Sequence, residues 1–252
     1  MQDRIKLGAN RTGIASSPMH SEAMLDGLSL QDGSPQPAIG AAELRASYRV
    51  DAEPVGSMPP PNTLRGVVGA VGESLKGKRM HILLDKLGER AAYERSGARL
   101  YDAFLQRLSA GVDAALPGDM SLELVQTIRN DEVAHFTLLV EAIEKLGGDP
   151  TVQTPCADMT AVTGMGLIQA MNEPRATLAQ GLQVLMAAEL IDVASWELLI
   201  ALATQLDQAE LADRFTAALN AENVHLERVR GWLQGALQND VALLAPSDGD
   251  GE

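Results

Sequence analysis

Apolar residues recur at alternating steps of three and four along four stretches of the chain, the spacing that turns one helical face toward a bundle core. The first stretch, 82–108, has the seam Leu87, Ala91, Glu94, Ala98, Tyr101, Leu105, Leu108; the second, 121–146, has Val125, Ile128, Glu132, His135, Leu139, Ala142, Leu146. The third, 175–205, carries Leu182, Leu185, Glu189, Val193, Trp196 and Ile200, and the fourth, 208–237, carries Leu211, Phe215, Ala218, Glu222, His225, Val229, Trp232 and Ala236. Each seam is broken once, by a glutamate or by a glutamate with a histidine three residues on. A loop containing Leu-Pro-Gly-Asp joins the first two stretches, and a turn at Leu206 and Asp207 joins the last two. A connection of nearly thirty residues links the pairs, enough to run the length of a bundle. The pattern predicts an all-α protein whose residues 82–237 form an antiparallel four-helix bundle with one long crossover.

The flanks lack this period. Residues 1–62 are rich in Gly, Ser and Pro and read as a disordered tail. Residues 63–81 read as a short appended helix and linker, with Leu64, Val67, Val68, Val71 and Leu75 on one side. Residues 238–252 read as a flexible acidic tail. The run 182–203 is apolar enough to suggest a membrane span, but Glu189, Asp192 and Glu197 lie inside it. Acids near a span's centre cost roughly 2.5 to 3.5 kcal/mol each, so no membrane is expected.

Composition narrows the partners. The 252 residues are 46% apolar with only three Phe, two Trp and three Tyr, which favours helices over a β-sandwich. A net charge of −14, with one short basic cluster at 76–79, argues against nucleic acid. Cys156 is the single cysteine, so these residues hold neither an internal disulfide nor a four-cysteine metal centre. That usage, and an N-terminus without a basic segment leading into an apolar core, point to the cytoplasm.

The interrupted seams carry the chemistry. An i,i+3 spacing stacks Glu132 with His135, and Glu222 with His225, on one helical face within reach of a common ion. At about 1.5 Å of rise per residue, Glu94 and Glu132 lie roughly 21 and 17 Å from their connection, and Glu189 and Glu222 roughly 24 and 21 Å from theirs. Antiparallel packing therefore brings all four to one level. Four carboxylates in a dry core repel one another and lose hydration worth several kcal/mol each unless cations neutralise them. Two divalent ions match four negative charges, and two imidazoles complete the donor set. A solvated-face reading would instead pair Glu132 and Glu222 with Arg129 and Arg228 on the helix surface. The seam positions count against that. Glu89 competes with Glu94 on the first helix, and Glu197, off the seam, with Glu189. Asp192 is either a further ligand or an acid outside the site, Asp131 is placed to orient a ligating histidine across the helix interface, and Tyr101 is a candidate catalytic residue on Glu94's face. His20, His81 and Cys156 have no assigned role.

Glu94, Glu132 with His135, Glu189, and Glu222 with His225 resemble the carboxylate-bridged di-iron site of the ferritin-like superfamily, which includes rubrerythrins, bacterioferritins and manganese catalases. The resemblance spans roughly 82–237. It implies two iron ions, with manganese as the alternative, bridged by Glu132 and Glu222, with Glu94 and Glu189 as terminal or semi-bridging ligands. It also implies an oxidoreductase of peroxidase, ferroxidase or catalase type acting on O₂ or H₂O₂. Rubrerythrins usually carry a four-cysteine electron-transfer domain, which is missing here, so an external electron donor is expected. A homodimer or higher homo-oligomer is the expected assembly. Iron storage, metal buffering and hydroxylation of an organic substrate are the alternatives.

Overall fold

The computed structural model describes residues 22, 26, 43, 46–50, 79–109 and 116–244, without the side chains of 243 and 244. The chain divides into two units, Met1–Glu53 and Pro54–Glu252. In the first, the described residues are helical, with Tyr48 and Val50 exposed. The rest of the expected tail over 1–62 and residues 63–78 of the expected short helix and linker lie outside the described residues, as does 245–252, while 80–81 belong to the first bundle helix.

The second unit contains five described helices: α1 (Met80–Ser109), α2 (Leu122–Lys145), α3 (Pro155–Met171), α4 (Leu178–Gln205) and α5 (Ala209–Leu244). Local chemistry sets their ends. Pro117 and Gly118, the latter at φ 60°, make the turn before α2, and the Ser121 hydroxyl accepts from Leu124 N–H as its cap. Gly147 at φ 82° ends α2 in the left-handed conformation that only glycine adopts freely. Thr154 caps α3, with Pro155 in its first turn. Thr177 and Gln180 close a reciprocal capping box on α4.

α1 packs with α2 and α4 with α5; α1 also meets α4, and α2 meets α5, closing the four-helix bundle. The crossover differs from expectation. It contains α3, which packs along α1 and touches α4. α5 continues to Leu244, seven residues past the expected boundary. The phase of α4 also differs: Asp192, Leu199 and Ala203 are buried, whereas Val193 and Ile200 are half-buried. The helix is apolar nearly all round, so its sequence specifies no single inward stripe.

The core has two apolar clusters. One contains Leu100, Tyr101, Phe104, Val125, Ile128, Leu182, Leu185, Val229 and Trp232. The other contains Leu83, Leu87, Leu139, Ala142, Trp196, Leu199 and Phe215. On every bundle helix the polar core positions fall between the two clusters, so a charged layer is sealed from both ends. No described helix is long and apolar enough to cross a membrane.

Candidate metal centre

The structure brings all six predicted donor residues into that layer, and Asp192 with them. Donor atoms of Glu94, His135 and Glu222 lie within 4.8 Å of one another, as do those of Glu132, Glu189, Glu222 and His225, and those of Glu94, Glu132, Asp192 and Glu222. Glu222 is common to all three groups. Its Oε1 is 2.5 Å from His135 Nδ1 and its Oε2 is 3.1 Å from His225 Nδ1, so one carboxylate spans the two histidines. Around this axis, His135 Nδ1 is 3.9 Å from Glu94 Oε2, and His225 Nδ1 is 3.9 Å from Glu132 Oε1 and 4.0 Å from Glu189 Oε2. All seven residues are buried, none more than 8% exposed.

The donor set passes a test of fit for two cations. Glu94 Oε2, Glu132 Oε2 and Glu189 Oε2 are buried and make no hydrogen bond, while Glu222 Oε1 and His135 Nδ1 face each other at 2.5 Å. Buried polar atoms are nearly always paired, because each unpaired one costs about 1 to 3 kcal/mol. Three unpartnered carboxylate oxygens facing one layer fit a place that cations would satisfy. The charges agree as well: five carboxylates and the Arg90 guanidinium leave four negative charges, the number two divalent ions carry.

Without cations the same packing distorts the acid–base properties of the layer. Burial, then repulsion from Glu222, Glu94, Asp192 and Glu189, holds the Glu132 carboxyl well above the usual range. Burial pushes Glu189 up to about 8, with Glu222 adding to it. Burial likewise raises Glu94 and Asp192 against the pull of Arg90. Glu222 is the exception. Burial works against its charge, but hydrogen bonds and charge from His135 and His225 hold it down at about 2. His225 correspondingly rises to about 9: burial opposes its charge, and the hydrogen bond and charge of Glu222 outweigh it.

Further side chains fix the donors. Asp131 reaches across from α2 so that its Oδ2 lies 3.1 Å from His225 Nε2, which leaves Nδ1 directed at the carboxylates. Tyr101 donates its hydroxyl to Glu189. Arg90 donates to Glu94 Oε1 at 2.5 Å and also to Asp192, tying α1 to α4. Trp196 packs edge-on to the His135 ring, with centroids 5.7 Å apart. The rival acids lie elsewhere. Glu89 pairs with Lys86, and Glu197 is exposed. Arg129 pairs with Asp102 at 2.8 Å rather than with Glu132, so the solvated-face arrangement is not formed there. His81 is exposed, and Cys156 is half-buried in the first turn of α3, its N–H donating to Asp85.

Two contributors went unseen in the sequence. Arg90 sits four residues before Glu94, a helical ion-pair spacing that marked it as a partner. Gly97 is the other. A Cβ there would stand 2.2 Å from Glu132 Oε2, so the carboxylate occupies the space that the missing side chain leaves. Glycine inside a helix costs about 1 kcal/mol relative to alanine, which was the available signal. Gly97→Ala is therefore expected to keep the helical fold and displace the Glu132 carboxylate. Metal titration should show the second equivalent weakened by about tenfold or more; unchanged binding of both equivalents would contradict this role for Gly97.

No protein-family model matches the chain, and no curated protein matches it. Among solved structures, a ferritin-like, diiron-carboxylate protein from Bacillus anthracis str. Ames is similar, with a TM-score of 0.45 and 20% identity over 60% of this chain and 94% of that one. The chain's own helices define its class. Two helix pairs joined by one long crossover, with an inward Glu on the first helix of each pair and an inward Glu-x-x-His on the second, make a ferritin-like bundle whose buried acids and histidines fit a pair of metal ions.

Proposed function

We propose that the protein is a non-haem dimetal oxidoreductase that reduces O₂ or peroxide, with iron as the metal and manganese as the alternative. One observation carries the reading: Glu222 spans His135 and His225, so two ions held at the two histidines share a carboxylate. Glu94 and His135 would hold one ion, Glu189 and His225 the other, and Glu132 with Glu222 would bridge them. When bound, such a pair would supply two electrons to a single small oxidant.

The chain's own residues prepare that reaction. The two apolar clusters exclude bulk water from above and below the layer, which strengthens every charge interaction inside it. Tyr101 holds Glu189 by a hydrogen bond and acts as a positioning residue for that carboxylate. Asp131 fixes which nitrogen His225 offers. Arg90 holds one positive charge beside Glu94 and Asp192, so that two divalent ions leave the layer neutral. With one cysteine in the 252 residues, reducing equivalents would come from an external electron donor.

The test is stopped-flow absorbance of Fe(II)-loaded protein mixed with O₂ or H₂O₂. Oxidation should be faster than that of free Fe(II) by about 100-fold, and should stop after one turnover without an added reductant. If neither oxidant reacts faster with the wild type than with Glu132→Gln, a structural or buffering metal site is the better account.

A further inference from the structure

Helix α3 fills the groove between α1 and α4 over only part of its length. Its Gly164, Leu167 and Ile168 close over Tyr93 of α1 and Ala188 of α4, where the Tyr93 hydroxyl donates to Ala188 O at 2.9 Å. Its first turns lie toward the other side of α1, with Cys156 N–H donating to Asp85 and Ala157 sharing a cavity with Phe136 of α2. The crossing is therefore oblique, and it leaves open the part of the groove near the start of α1 and the end of α4. On α1, Ile82, Lys86 and Glu89 share the face of Tyr93 at helical steps of three and four. On α4, Ile191, Ser195, Leu198 and Leu202 share the face of Ala188 in the same way. Among the described residues no element covers these faces: Ile82 is 38%, Ile191 47% and Leu198 69% exposed. Their charges, Lys86 and Glu89, pair with each other.

We propose that residues 64–75 of the same chain dock in this open part of the groove, so that the bundle carries its own cover there. The apolar set Leu64, Val67, Val68, Val71 and Leu75 falls on one side of a helix. Leu64 to Leu75 and Ile191 to Leu202 are equally far apart, about 17 Å at about 1.5 Å per residue. The stretch also joins α1 at the mouth of the groove. Ile82 donates its N–H to Arg79 O at 3.0 Å, and Gly77, between Lys76 and Lys78, supplies the backbone freedom to turn back along α4. Charge favours this occupant over a second copy. Residues 63–79 contain four basic residues and one acidic one in a chain of net charge −14, so docking them neutralises part of the surface that a second copy would only repel. Tethering acts in the same direction, because a linker of four residues, 76–79, holds the stripe at high effective concentration beside its site. Gly66, Gly69 and Gly72 lower the helix propensity of the stretch, so its order depends on the groove.

Hydrogen–deuterium exchange of the full-length protein, read at 64–75 by mass spectrometry, tests this against the same residues in a free peptide of 60–79. Exchange in the protein should be slower than in the peptide by about tenfold or more, at every protein concentration. Val68→Asp on the stretch and Leu198→Asp in the groove should each return it to the peptide rate. Val224→Asp, at a comparably exposed apolar position on α5, should leave it protected. Amide protection along α1 and α4 reports whether each variant keeps the bundle, and Val68→Asp, which lies outside the described helices, decides the question if Leu198→Asp disturbs α4. Peptide-rate exchange in the wild type, or protection that survives both Val68→Asp and Leu198→Asp, would overturn the proposal. So would protection of 64–75 that appears only as the protein concentration rises, which would give the groove to a second copy.

Discussion

Glu132→Gln and Glu222→Gln should each cost the protein its second metal equivalent, and should move the stability of the metal-free protein in opposite directions. Glu132 Oε2 has no hydrogen-bond partner, Glu222 spans the two histidines, and each of the two acids belongs to more than one of the convergent groups. Losing a bridging ligand should exceed the 10- to 100-fold typical of losing a supporting contact, so dinuclear binding should fall by about 100-fold or more. Glu197→Gln, on the exposed side of α4, should leave it unchanged. Stability separates the two acids. Glu132 is disfavoured as an anion by burial and by four neighbouring carboxylates, so a neutral isostere relieves repulsion, and the metal-free variant should melt several degrees higher at pH 8. Glu222 is held as an anion by two imidazoles, so its loss leaves His135 and His225 without their acceptor, and the metal-free variant should melt lower. Isothermal titration with Mn(II) and thermal unfolding of the metal-free proteins give both results. Equal loss of metal in all three variants would mean that binding does not depend on the buried layer.

Why was the convergence of six buried side chains legible when two supporting residues and a helix were not? A glutamate at a core position contradicts the apolar seam around it, and four such contradictions at one height have few structural explanations. Arg90 and Asp192 form a second polar pair inside the same layer, but Arg90 lies beside its seam, and α4 is too uniformly apolar for Asp192 to be distinguished from Val193 as the inward residue. Gly97 acts by an absence, which periodicity does not register. The helix α3 escaped for a related reason. Only Ala157 and Met171 are buried along it, while Met159, Val162 and Met165 are exposed, so no apolar stripe marks a core-facing side. Its start was written in local chemistry nonetheless, in the Thr154 cap followed by Pro155. Gly164 and Gly166 lower its intrinsic helix propensity, and packing along α1 and α4 supplies what propensity lacks.

Removing the metals should reverse the pH dependence of stability. In the metal-free fold Glu189 has its ordinary 4.5 raised to about 8, so between those values the folded protein holds a proton that the unfolded chain has released. Stability then falls as pH rises across that window, because the folded state binds more protons. His225, raised from 6.5 to about 9, acts in the same sense: its contribution is complete below pH 6.5 and is lost as pH rises toward 9. Glu132, Glu94 and Asp192, all raised, add to the loss. Glu222 works in the opposite direction, but only below pH 4.5, as its carboxylate is protonated toward 2. The metal-free protein should therefore be most stable near pH 5 and should lose on the order of a few kcal/mol by pH 8.5. Cations compete with these protons, so the Mn(II)-loaded protein should gain stability over the same range as the carboxylates ionise onto the metals. Thermal unfolding from pH 5 to 8.5, with Mn(II) or with a chelator, measures both curves. Diverging curves are the expected result, and parallel ones would mean that the carboxylate layer binds no cations and that its charges are relieved in some other way.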